Sequence, residues 1–159
     1  MRSIWFFGPT ACGKRTKLFW LADIVNRRHE SARALGLRPH DLVLPAVIPN
    51  PIRGKRGEEY QRILARRIDL LTEIYTARIE AVWLIHGQRI DIDEDVPGRI
   101  LEATGAELPL AAYLKPDKRT YEMYAAARGV EIRYEYAFAE TDAELRYLSA
   151  RFLEVRVLE

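Results

Sequence analysis

Cysteine is almost missing from this chain. The single Cys12 cannot form an internal disulfide, and no group of cysteines and histidines has metal-ligand spacing. Disulfide-stapled secreted scaffolds and zinc-organised domains are thereby excluded. Long hydrophobic runs are missing too: none approaches the roughly 20 residues a helix needs to cross a bilayer. An excess of one charge is also lacking. The 25 basic residues nearly balance the 23 acidic ones, for a net charge of +2, so there is no global basic field of the kind that marks a nucleic-acid surface. Lysine is scarce, with 5 Lys against 20 Arg. Guanidinium forks match phosphate oxygens bidentately, although arginines also serve as solvated helix faces. Internal repeats, linkers and low-complexity tracts are absent.

What is present is a chain of 159 residues, 48% hydrophobic and 30% charged. That is the composition of one globular domain with a real core, expected to span residues 1–159. Met1-Arg2-Ser3 leads straight into the first apolar run, so a protein without a secretory leader is expected, in the cytoplasm.

Periodicity divides the chain into alternating elements. Ile4 to Phe7 reads as a buried strand, and a helix is expected from about Lys14 to Leu35, stopped by Gly36. Asp41 to Pro49 reads as a strand that Pro45 confines to an edge. Residues 49–57 are a basic loop, followed by a helix from about Glu58 to Ala77 with Arg62, Arg66 and Arg67 off its apolar stripe. Ala81 to Ile85 is apolar without alternation, as in a strand covered on both faces. Ile90 to Asp95 reads as acidic and irregular, and a short helix is expected from Pro97 to Ala103. Leu110 to Leu114 is a fourth strand, and Asp117 caps a helix that runs to about Ala127. Val130 to Phe138 alternates like a fifth strand, and Asp142 to Leu153 reads as a last amphipathic helix. The expectation is an α/β fold of three layers: a five-stranded, mostly parallel sheet with helices on both faces. Ligands in such folds bind at the carboxyl ends of the strands.

The first strand-to-helix junction reads Gly8-Pro9-Thr10-Ala11-Cys12-Gly13-Lys14-Arg15-Thr16. The spacing G-x-x-x-x-G-K in this context is that of a phosphate-binding loop (Walker A). Its backbone N–H groups and the helix N-terminus cradle phosphate oxygens, and Lys14 reaches the β- and γ-phosphates. The hydroxyl residue expected directly after the lysine is displaced by one, with Arg15 in its place and Thr16 next. Cys12 sits near a helix N-terminus and Lys14, where a thiol pKa can fall; the alternative is a small residue that the loop tolerates.

This loop resembles that of adenylate kinases and related nucleoside monophosphate kinases, whose pattern G-P-P-G-x-G-K-G-T also places its threonine two residues after the lysine. The resemblance implies the P-loop NTPase fold and a nucleotide kinase that uses ATP and Mg²⁺. It further implies that Lys14 binds the transferred phosphate, with Thr16 at the triphosphate or the Mg²⁺ hydration shell. Arg15 departs from the family's glycine and either adds a phosphate contact or points into solvent. The family's D-G-F-P-R stretch corresponds to His86-Gly87-Gln88-Arg89, where His86 replaces the acid; Asp91 first, or Asp93 or Asp95, could stand in as a Mg²⁺ ligand, the alternative being a solvated acidic loop that caps a helix. Arg119 and Arg128 match the arginines that close on the transferred phosphate.

An acceptor-side insertion is expected at about residues 49–78, with no segment long enough for a mobile lid. Arg53, Lys55, Arg56, Arg62 and Arg89 are the candidates to grip an acceptor, either a small nucleotide or the phosphate at a nucleic-acid end. Three readings stay open: a nucleotide kinase-like phosphotransferase, a polynucleotide 5′-end kinase, and a nucleotide-binding protein with little turnover. Neither a membrane partner nor a particular oligomeric state is implied.

Overall fold

A computed structural model describes residues 2–24, 29–48, 54–77 and 79–159. Arg53, one of the expected acceptor residues, lies outside them. Five strands form one sheet in the order β2-β3-β1-β4-β5: β1 (Arg2–Phe7), β2 (Val43–Ala46), β3 (Val82–His86), β4 (Leu110–Leu114) and β5 (Glu154–Leu158). All four pairings are parallel. The helices are α1 (Lys14–Ile24), α2 (Glu30–Ala34), α3 (Gly57–Thr76), α4 (Arg89–Asp93), α5 (Val96–Thr104), α6 (Lys118–Ala127), α7 (Tyr134–Ala137) and α8 (Thr141–Arg151). None among the described residues is long and apolar enough to cross a membrane.

The central strands are buried on both faces, as their unbroken apolar runs require. Residues 3–7 of β1 and all of β4 are buried. Trp5 stacks on Phe7 at 5.8 Å, and Phe152 meets both rings edge-on. The polar atoms at the foot of β1 are satisfied from α3: Trp5 Nε1 donates to Tyr75 Oη at 2.7 Å, and Ser3 Oγ bonds the same hydroxyl at 2.6 Å. Strand β2 is at the sheet edge with Pro45 exposed, where a residue without an N–H does least harm.

Three expected elements are corrected. The expected single helix is not continuous to Leu35: α1 is described over Lys14–Ile24, and a separate α2 begins at Glu30, where His29 Nδ1 accepts from Ser31 N. Residues 89–93, read as irregular, form α4, closed by a capping box between Gln88 and Asp91. The fifth strand is not Val130–Phe138 but Glu154–Leu158, after α8. Both stretches alternate, so periodicity cannot choose between them. Packing does: Tyr134 and Phe138 lie one helical turn apart and close on Tyr121 at 5.7 and 5.6 Å, which favours the helical turn α7. The tail then pairs with β4 from Leu110–Glu154 to Leu114–Leu158.

Candidate functional site

The phosphate loop leaves β1 at the carboxyl edge of the sheet, and its shape is set by positive φ angles at Gly8 (132°), Ala11 (65°) and Gly13 (90°). A Cβ on Gly8 would lie 2.7 Å from Cys12 Sγ and 2.8 Å from the Leu114 carbonyl oxygen. Gly8→Ala is therefore expected to destabilise the protein by about 2–4 kcal/mol through overpacking and left-handed strain, read as a lowered urea midpoint. Ala11 holds a left-handed conformation where the resembling family has glycine, a strain of about 1–3 kcal/mol of the kind kept at functional sites. Cys12 is buried, and burial pushes its thiol pKa up although Lys14 pulls it down. The depressed-pKa alternative therefore falls away, leaving a small residue in a tight loop.

Lys14 begins α1 and folds back over its own loop. Its Nζ donates to the carbonyl oxygens of Gly8 and, at 3.0 Å, Pro9. Burial lowers its pKa, and the positive charge of Arg128 adds to that. Arg128 caps the C-terminus of α6, is exposed, and has no acidic partner among the described residues. The same field reaches His86 at the end of β3. Burial first, then the charges of Lys14, Arg15, Arg67 and Arg128, lower the His86 pKa to about 4. The charges of Lys14, Arg15 and Arg128 thus act together at the end of β3, while that of Arg67 is matched by Asp91.

His86 is neutral at pH 7. Because its folded pKa lies below the unfolded value of about 6.5, its contribution to stability is complete above that pH and lost as pH falls toward 4. We expect its imidazole resonances to titrate with a midpoint near 4, and a His86→Asn variant to lose less stability across that window.

Asp91 is placed otherwise than a metal ligand requires. It is fully buried on α4, and both its oxygens take bonds from Arg67, Nε to Oδ1 and Nη2 to Oδ2, each at 2.6 Å. Oδ2 also accepts from Gln88 N at 2.8 Å. Arg67, expected on the solvent side of α3, is instead 2% exposed and reaches the His86 and Ile48 carbonyl oxygens as well. This pair ties α3 to the ends of β2 and β3. The sequence showed the two residues but not their partnership, since they are 24 positions apart.

The other expected acceptor residues separate. Lys55 pairs with Glu59 at 2.9 Å, and Arg56 and Arg62 are exposed without acidic partners among the described residues. Arg89 starts α4 and bonds three carboxylates: Asp93 at 2.8 Å, Glu140 at 2.7 Å and Glu144 at 2.7 Å. Arg119 is exposed on the first turn of α6 and touches nothing in the loop. Glu144, missed by sequence reasoning because α8 is remote in the chain, also accepts from Tyr113 Oη at 2.6 Å, and its charge acts on Lys14.

Two cavities meet at the loop. One, of about 260 Å³, is lined by its second half (Cys12, Gly13, Thr16) with Trp20, Pro116 and Tyr124. The other, of about 390 Å³, is lined by its first half (Gly8, Pro9, Thr10) with Gln88, Arg89 and Glu144. Tyr124 both packs on Gly13 and walls the first cavity. As for Mg²⁺, the exposed Thr16 is the hydroxyl available at the loop's end, and the described residues hold no cluster of three or more acidic, histidine or cysteine side chains. That set fits an ion held mainly by substrate phosphates and water, not one caged by the protein.

The sheet order, the glycine-shaped loop after β1 and the helix that starts at its lysine make a five-stranded parallel α/β fold. Among solved structures, shikimate kinase from Acinetobacter baumannii in complex with shikimate is similar over 100% of this chain and 83% of its own, with TM-score 0.52 and 15% identity. Deoxyadenosine kinase from M. mycoides, with products bound, aligns over 99% of this chain and 90% of its own, with TM-score 0.49 and 14% identity. No family model matches the sequence, and no curated protein matches it significantly.

Proposed function

We propose that this protein is a P-loop phosphotransferase that moves the γ-phosphate of ATP to a nucleotide or similar small acceptor. The observation that carries the reading is that the two halves of one loop, which ends at the lysine that begins α1, each line a cavity. A transfer enzyme must hold donor and acceptor so that one phosphoryl group faces both. The cavity walled by Trp20 and Tyr124 suits a nucleobase, and the second cavity suits the acceptor.

In this reading the loop N–H groups and Lys14 hold the phosphates, and Arg128, with Arg15, stabilises charge on the transferred group. The Thr16 hydroxyl is the group that would help hold the Mg²⁺ of MgATP, which would supply neutralising charge to the triphosphate. The acid found near the metal in the resembling family is replaced here by the neutral His86, so charge stabilisation rests on the cations of the loop. Phosphoryl transfer works by positioning and electrostatics, so a general base is not required. A single domain in the cytoplasm remains part of this proposal.

A second reading, a kinase for polynucleotide 5′ ends, draws on Arg56 and Arg62, which are exposed and free of acidic partners among the described residues. Incubation with γ-labelled ATP, Mg²⁺, small acceptors and 5′-hydroxyl oligonucleotides separates the two. Label on small acceptors supports the first reading and label on oligonucleotides the second. ATP binding without any transfer would leave a nucleotide-binding protein.

A further inference from the structure

The larger cavity says what kind of acceptor fits. Its volume of about 390 Å³ lies within the roughly 300–1,000 Å³ of small-molecule sites. Among the residues that line it, Arg89 is the one cation. All three guanidinium nitrogens of Arg89 are bonded to carboxylates: Nε to Asp93, Nη2 to Glu140 and Nη1 to Glu144. Glu144 is not free to swing away, since Tyr113 holds its other oxygen and its side chain is 13% exposed. Three carboxylates therefore surround one guanidinium, and two of them, Glu140 and Glu144, line the cavity with it, a net negative charge at its wall.

A phosphate monoester brings a charge of about −1.5 to −2 at pH 7. To bond Arg89 it must displace these carboxylates and then lie beside them, which is the arrangement that excludes a wrong partner by like charge. A hydroxyl compound without charge meets no such barrier. The rest of the lining is uncharged: Thr10 and Gln88 offer hydrogen-bonding groups, and Ile92, Ile132 and Tyr136 offer apolar surface for a ring.

We propose that this cavity takes an uncharged, ring-bearing hydroxyl acceptor of nucleoside size, and that Glu140 and Glu144 turn away acceptors that already carry a phosphate. The inference rests on the phosphotransferase reading above and narrows its acceptor from a nucleotide to a compound without a phosphate. The acceptor's hydroxyl oxygen forms the new bond to the γ-phosphorus, and the bond from that phosphorus to the β–γ bridging oxygen breaks. ADP leaves with the electron pair, and the hydroxyl proton is released to water. The product carries the charge that the wall repels, so the same two glutamates favour its departure.

Label transfer from γ-labelled MgATP to matched pairs, each nucleoside against its own 5′-monophosphate, tests this. We expect nucleosides to be labelled about 100-fold faster, the size of a like-charge penalty of a few kcal/mol. The Glu140→Gln variant should narrow that ratio by about tenfold; Glu140 is exposed enough that folding is not at stake. Equal labelling, preference for monophosphates, or ATP binding with no label on any nucleoside would overturn the inference while leaving the loop's role intact. Absence of ATP binding would instead overturn the phosphotransferase reading and the inference with it.

Discussion

Replacing Lys14 with alanine is expected to weaken ATP binding by about 100-fold or more and to abolish measurable transfer, the scale of losing one preorganised charge contact to a phosphate. The free protein shows why the loss should be confined to function. Lys14 Nζ is bonded only to loop carbonyl oxygens and the Cys12 sulfur, and its pKa is lowered by burial and by Arg128. The desolvation that lowers its pKa offsets part of what the hydrogen bonds to the Gly8 and Pro9 carbonyl oxygens contribute. Thermal melting of Lys14→Ala should show a small change in Tm, while calorimetric titration with ATP shows a much larger loss. A variant that binds ATP like the wild type would remove the phosphate loop from the account.

Replacing Asp91 with alanine is expected to have the opposite profile. It leaves Arg67 charged and 2% exposed without its bidentate partner, and breaking a buried pair in that way costs about 3–5 kcal/mol. For a chain of this size that lowers Tm by roughly 10 °C. The Gln88 cap and the start of α4 are lost with it, because Gln88 N bonds the same carboxylate. Arg67→Met combined with Asp91→Leu should recover most of the loss, since paired apolar replacements of buried ions are often neutral. The stability difference should not depend on Mg²⁺. If added Mg²⁺ stabilised the wild type but not Asp91→Ala, the carboxylate would be a metal ligand after all.

These two residues also show what the sequence could and could not reveal. Lys14 was legible because its chemistry is local: strand, glycine loop and helix are consecutive, and each signals itself. The strands at 82–86 and 110–114 were legible from unbroken apolar runs, and Asp117 from its position ahead of a helix, where it accepts from Thr120 N at 2.8 Å. The burial of Arg67 was not, because a helix stripe does not show that an arginine inside the fold has found a carboxylate on another helix. Nor was Glu144 at the loop, which depends on α8 folding back beside Arg89 and Tyr113. The misplaced fifth strand has the same origin: two alternating stretches compete for one sheet edge, and the aromatic contacts of Tyr121, Tyr134 and Phe138 decide between them.

If polyphosphate binds among Lys14, Arg15 and Arg128, as proposed above, His86 reports it, because those three charges act on its imidazole. Its imidazole should be titrated by NMR with and without saturating non-hydrolysable ATP. The account predicts a midpoint near 4 in the free protein and a clear rise in the complex, because phosphate charges cancel those that hold the pKa down. A midpoint unmoved by bound nucleotide would contradict it, placing the phosphates somewhere other than this loop.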